Sequence, residues 1–277
     1  MTTIGTKLAA VAFVLLTAAP AFAGKGGSNL LITQAVQSGS TDAIIAEVEK
    51  TESLICNECI QTVTNLTEDN RYAVREVAAW WFAKRPQLQE AMAAGFQSDL
   101  TSSDSIRVRN AADFLGTTKT YTSLPALRTA IHHAGLTSEA KLALVHAVGR
   151  MAHVSGNEVL TTAMTDGDPA VRAAAIVAWR DVLSQQGAAP VVALLHDANA
   201  EVRMKAATTV GGMNEVNAHT TLEAMVVSDV DSTVRRAAAW ALGQLGQADS
   251  RQALITASSD KSGLVSGVAK ASLSLLH

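Results

Sequence analysis

A short pattern returns along this chain at nearly constant spacing: an aspartate, then Val-Arg, then a pair of alanines. It stands as Asp168-Pro169-Ala170-Val171-Arg172-Ala173-Ala174-Ala175, as Asn199 to Ala207 around Val202-Arg203, and as Asp231 to Ala239 around Val234-Arg235. Earlier copies hold Val74-Arg75 after Asp69 and Val108-Arg109 after Asp104, and degenerate copies place Ala140-Lys141 and Val265-Ser266 at the same station. The anchors Val74, Val108, Ala140, Val171, Val202, Val234 and Val265 recur every 31–34 residues. A period of this kind excludes an ordinary globular core. Each unit is too small to bury its own apolar face and must stack on its neighbours.

Within one period the pattern reads as two helices. Glu158 to Met164 runs into the turn Thr165-Asp166-Gly167-Asp168, where Asp168 suits a helix N-cap and Pro169 the first helical position. A second helix follows, Ala170 to Leu183, and Gln186-Gly187 is expected to end it. Turning about 100° per residue from the anchor, positions +4, +5, +7 and +8 share one arc. That arc carries mostly Ala, Ile, Val, Leu or Trp. Hydrophobic residues are 48% of the chain but aromatics only 4%, as closely spaced helices lined by small side chains require.

The arginine at +1 falls inside this arc, and a buried guanidinium needs a carboxylate. Asp69, Asp104, Asp168, Asp197, Asp231 and Asp260 precede the anchors by three to five residues. They are expected to form a structural ladder with Arg75, Arg109, Arg172, Arg203 and Arg235. The expected fold is all-α, a right-handed α-solenoid of about seven two-helix repeats, over residues 66–277. Residues 24–65 are expected to form a variant helical cap carrying a C-x-x-C pair.

The repeat, best kept as D-x-x-V-R-x-x-A-A-x-x-L-G at Asp231 to Gly243, resembles the HEAT family, in particular the short repeats of phycobilisome lyases. The resemblance covers about residues 60–277 and implies a scaffold or adaptor that binds a protein partner. It does not carry lyase chemistry. Nor does it carry the iron chemistry of the HEAT-like deoxyhypusine hydroxylases, whose His-Glu pairs have no counterpart here.

The first 23 residues read as a secretory signal peptide: Lys7, the apolar run Leu8 to Ala19, and an A-x-A site at Ala21-Phe22-Ala23. The run is too short to span a bilayer, which takes ~20 residues. The mature chain is therefore expected in the periplasm or outside the cell, without an integral membrane segment. A net charge of −3 without basic blocks argues against nucleic acid.

Catalytic motifs are missing: there is no H-E-x-x-H, G-x-S-x-G, P-loop or G-x-G-x-x-G, and two S-x-x-K matches, at Ser138 and Ser258, lack the companion motifs of a serine acyl-enzyme. No cofactor is expected. His132, His133, His146 and His153 are weak candidates for a metal site. Position +6 of the second helix holds Trp80, Phe114, His146, Val177, Thr208, Trp240 and Ala271. Trp80, Trp81, Phe82, Phe114 and Trp240 are the candidate partner-binding residues, set against a packing role between repeats.

Cys56 and Cys59, the only cysteines, are expected early in a helix capped near Glu52-Ser53. Three places apart on a helix, they are within disulfide reach. The readings left open are a structural disulfide, a redox or partner-linked pair, and a metal site. Function is expected to be that of a non-enzymatic envelope scaffold; the alternative is a redox or metal-handling accessory protein using Cys56 and Cys59.

Overall fold

The computed structural model describes residues 27–185 and 187–276, and the expected signal peptide lies outside them. All regular structure among the described residues is helical. The chain divides into two compact units, one ending at Met151 and one starting at Ala152.

The first unit opens with two capping helices, α1 (Asn29–Ser38) and α2 (Thr41–Glu49). Three hairpins follow, each of two helices: α3 (Cys59–Leu66) with α4 (Tyr72–Ala83), α5 (Pro86–Asp99) with α6 (Ser105–Thr117), and α7 (Leu124–Ala130) with α8 (Ser138–Met151). The second unit holds four: α9 (Asn157–Ala163) with α10 (Pro169–Asp181), α11 (Ala189–Val192) with α12 (Ala200–Gly212), α13 (His219–Ser228) with α14 (Ser232–Leu245), and α15 (Arg251–Ala257) with α16 (Gly263–Leu273). Every Val-Arg anchor falls on the second helix of a hairpin. Helix α3 is the first helix of such a hairpin, so repeat architecture begins ahead of the expected boundary after Asn65.

The repeat pattern dictates these helices locally. Asp104, Asp168, Asn199 and Asp231 hold extended backbone and accept a hydrogen bond from an N–H of the first turn. Pro169 sits at the first helical position, where its missing N–H costs nothing. Helix α10 ends at Asp181, two residues short of the expected end. The left-handed residue there is Ser184, at φ 61°, ahead of Gly187 at φ 81°.

Packing follows the arc read from the sequence. The anchors Val74, Val108, Ala140, Val171, Val202, Val234 and Val265 are all fully buried, as are Ala78, Ala112, Leu144, Ala175, Ala206, Ala238 and Ala269 four residues on. Small residues let successive second helices approach almost backbone to backbone. A Cβ on Gly116 would lie 2.5 Å from the Cα of Ala147, one on Gly211 2.6 Å from the Cα of Ala241, and one on Gly243 2.5 Å from the Ser272 hydroxyl. These contacts set the helix spacing within each unit.

Gly211→Ala is therefore expected to destabilise the second unit by about 1–3 kcal/mol, the usual penalty for overpacking. At its neighbour Gly212 a new Cβ would meet only the Trp240 ring, at 3.7 Å. Gly212→Ala should leave stability unchanged or raise it by up to about 1 kcal/mol, through helix propensity. Urea titration of the two variants separates these outcomes.

Candidate functional site

The second unit carries the ladder in its plainest form. Each second helix is preceded by a turn of the type Asp-x-(Asp, Asn or Ser). In three of these turns the first carboxylate, that of Asp197, Asp229 or Asp260, receives the arginine of the preceding repeat. Arg172 donates through Nε and Nη2 to Asp197, both at 2.7 Å. Arg203 does the same to Asp229 at 2.8 and 2.9 Å, and Arg235 to Asp260 at 2.7 and 3.1 Å. The Nη1 of each arginine turns back to its own turn, for example to the carbonyls of Asp197 and Ala198 at 2.8 and 3.1 Å from Arg203. A backbone N–H two residues on, that of Asn199, Asp231 or Ser262, completes each carboxylate.

The ladder thus runs through different carboxylates from several of those expected. Asp104, Asp168 and Asp231 are helix caps, accepting from the N–H groups of Ile106, Ala170 and Thr233. A cap side chain is fixed over its own helix, and the residue two places earlier is the one aimed at the previous repeat. Asp229 was missed for this reason. Its signal was present: Asp69, Asp166, Asp197, Asp229 and Asp260 all stand five residues before their anchors.

Arginine contact controls the acidity of these groups. Hydrogen bonding from Arg172 and Arg235 holds Asp197 and Asp260 below the usual carboxylate range. Burial pushes Asp229 up, but the hydrogen bonds from Arg203 and the Asp231 N–H outweigh it, and the net direction is down.

The first unit departs from this pattern where its turns lack the carboxylate. Ser103 and Gly135 stand five residues before Val108 and Ala140. Arg75 keeps its bonds to the carbonyls of Asp69 and Asn70, at 2.7 and 2.9 Å, but finds its carboxylate on Asp113 in the middle of α6, at 2.8 Å. Both side chains are almost completely buried, 3% and 4% exposed. Burial pushes the Asp113 carboxyl up, against the pull of Arg75. Arg109 pairs with Glu139 at 2.8 Å and with the Asn110 side chain. Asp69 serves Arg71 within its own turn.

A second feature of this unit was not legible as a motif. Arg150, at the end of α8, donates to the Tyr72 hydroxyl and to Glu76 on α4, and to Thr117 on α6 at 2.9 Å. One guanidinium joins three second helices, and Asp113 lies buried on the middle one.

The aromatic candidates separate into two groups. Trp81, Phe82 and Phe114 are core residues, at most 1% exposed, and are not available to a partner. Trp81 meets Phe82 edge-on at 5.2 Å, and Phe114 stacks on Phe96 at 4.1 Å. Phe82 also meets Phe114, at 5.7 Å. Trp80 and Trp240 are half-buried. Lys84 lies 5.2 Å from the centre of the Trp80 ring, and the Trp240 ring covers Gly211 and Gly212.

Cys56 and Cys59 are bonded, with Cα atoms 5.2 Å apart. Only Cys59 is helical, as the first residue of α3; Cys56 lies in the loop before it, and Glu52-Ser53 caps nothing because the helix starts later than expected. The loop walls a cavity of about 580 Å³ lined among others by Leu54, Cys56, Ile60, Trp81, Arg85 and Leu88. Cys56 and Trp81, 25 residues apart in sequence, thus reach the same site. Arg85 anchors it: its guanidinium stacks on Trp81 at 3.6 Å and donates to the carbonyls of Thr51, Leu54 and Trp81 at 2.6, 2.9 and 2.8 Å. Burial lowers Arg85 to about 10, opposed by Glu52.

Of the histidines, His132 and His133 lie in the turn after α7, His146 is on α8, and His153 accepts the Ser155 N–H at 3.1 Å. Burial lowers the His146 imidazole, against the pull of Asp113. No group of three or more metal-ligating side chains occurs among the described residues. No described helix is long and apolar enough to cross a membrane.

Residues 188–274 match the HEAT repeats family. No curated protein matches the chain. Among solved structures it is similar to YibA of Escherichia coli, at 14% identity and a TM-score of 0.58, over 88% of this chain and 91% of that one. It is also similar to human deoxyhypusine hydroxylase, at 16% identity and a TM-score of 0.38, over 99% and 97% of the two chains. The CpcE–CpcF complex of phycocyanin lyase from Nostoc gives 17% and 0.42, over 78% and 94%. The repeats are HEAT-like, and a fold of this class fits a protein partner.

Two measurements probe the ion pairs. The ladder aspartates have folded pKa values below their unfolded ones, near 3.9. Their contribution to stability is present above that range and is lost as pH falls through the folded values. Arg203→Met leaves burial of Asp229 unopposed by its arginine, and carbon-detected NMR titration should show that carboxyl moving upward. In the first unit, Asp113→Leu alone strands a buried guanidinium and should cost about 3–5 kcal/mol, whereas Arg75→Met with Asp113→Leu should recover most of the loss. Urea unfolding of the two singles and the double variant gives the coupling directly.

Proposed function

We propose that this chain is a non-enzymatic HEAT-repeat scaffold, exported to the cell envelope, that holds a protein partner against its second helices. The observation that carries this reading is the placement of Trp80 and Trp240. Each is a large aromatic left half-buried on a second helix of its unit, while the neighbouring anchors are sealed. Aromatic side chains with an apolar body and an accessible edge are frequent anchors of protein interfaces. Trp80 is further held by Lys84, which Glu52 fixes at 2.7 Å, so the ring is ordered before any partner arrives.

Export is supported by Lys7, the Leu8 to Ala19 run and the Ala21-Phe22-Ala23 site, and by a cysteine pair of the kind that persists in oxidising compartments. Residues 24–277 then form the mature, periplasmic or extracellular chain.

A photo-crosslinking amino acid placed at position 80 or 240, with controls at the exposed first-helix positions Glu90 and Thr220, tests the reading in the intact cell. The same discrete protein adduct is expected from 80 and 240 and not from the controls, on a chain whose first residue is Gly24. Adducts from the controls alone would move the interface to the first helices. An uncleaved N-terminus would remove the envelope assignment.

A further inference from the structure

The Cys56–Cys59 pair is poorly explained as a staple. It closes a ring of four residues, which in the chain-entropy view adds only roughly 2 kcal/mol. The turn it closes is already spanned by the Cys59 N–H donating to the Cys56 carbonyl at 3.1 Å, and the segment leading into it is held as well. Arg85 binds the carbonyls of Thr51 and Leu54, and the Thr51 hydroxyl accepts the Trp81 indole N–H at 2.8 Å. The sulfurs also differ in access. Cys59 is fully buried, whereas Cys56 is part-exposed and lines the 580 Å³ cavity. The same wall carries Arg85 and the Lys84–Glu52 ion pair beside the apolar Leu54, Ile60 and Leu88.

We propose that Cys56–Cys59 is a thiol–disulfide exchange site, at which a dithiol on an apolar segment of a partner protein enters the cavity and attacks the Cys56 sulfur. This site adjoins the Trp80 surface through Lys84, which lines the cavity and lies over the Trp80 ring, but the exchange rests on the two cysteines and not on that surface.

The exchange balances without any further reagent. A thiolate of the partner attacks Cys56 Sγ, a new S–S bond forms between them, and the Cys56–Cys59 bond breaks. The electron pair leaves on Cys59 Sγ, which takes a proton from solvent. The partner's second thiol then loses its proton and attacks the partner sulfur of the mixed disulfide, releasing Cys56 as a thiolate that is protonated in turn. Two electrons pass from the partner, which leaves as a disulfide, to this chain, which is left as a dithiol. The cavity supplies what such a step needs: access to one sulfur from one side, the Arg85 guanidinium on the same wall, and a frame that stays in place once the bond is open.

The first test is the rate at which dithiothreitol reduces the oxidised mature protein, folded and then unfolded in urea, followed by mass. An exchange site should react about tenfold faster in the folded protein, where the cavity presents Cys56 to the reagent. A folded rate equal to or below the unfolded one marks a protected staple and overturns the proposal. The second test fixes the direction of attack. In Cys59→Ser, Cys56 should take up one glutathione from oxidised glutathione under native conditions, and in Cys56→Ser, Cys59 should not react until the chain is unfolded. The opposite selectivity would equally overturn the assignment. Because the first test uses the unsubstituted protein, it stands even where a cysteine variant fails to fold.

Discussion

The structure of the second unit depends on one interaction, an arginine that cannot be buried alone. Its stem belongs to the apolar arc of a second helix, and its guanidinium is mostly removed from water. It has to find a carboxylate, and the carboxylate it finds is on the turn of the next repeat. The same guanidinium fills the carbonyls of its own turn. Each arginine therefore fixes both the turn it starts from and the turn it reaches. Repeats that meet only their neighbours gain a defined register in this way, one that small apolar side chains alone would not impose.

Where the turn carboxylate is missing, the arginine remains and the rest of the structure adapts. At Ser103 and Gly135 there is nothing for Arg75 and Arg109 to reach. Asp113 enters the middle of a helix to serve Arg75, and Glu139 and Asn110 serve Arg109. Arg150 adds a further set of bonds spanning three helices of the first unit. The first unit is accordingly held by irregular, individually specified polar contacts and by a stack of aromatics, and the second by repetition.

The two candidate sites follow from these different constructions. Trp80 and Trp240 occupy a position that the repeat leaves at least partly accessible in every copy but that of Phe114, which suits recognition of a macromolecule. The cysteine cavity lies where the first hairpin is least regular, with a loop in place of the first turn of α3. Arg85 ties that irregular loop down by taking its carbonyls, and its buried charge is opposed by Glu52.

The sequence by itself determined the repeat, its period, the two-helix unit, the arc of small residues, and the need for a carboxylate beside each arginine. These are properties of local periodicity and of the cost of burying charge, and they are complete within 31–34 residues. It could not decide which aspartate met which arginine, because capping and pairing draw on the same residue type two positions apart. Only side-chain direction separates them. Nor could it tell the aromatics apart: Trp80 and Trp81 are adjacent in sequence, yet one is half-buried and the other sealed, since neighbours on a helix point about 100° apart. The meeting of Cys56 with Trp81 and Arg85, and of Arg150 with Glu76, was decided by tertiary structure alone. No period relates those positions, and only the packing of hairpins within the first unit brings them together.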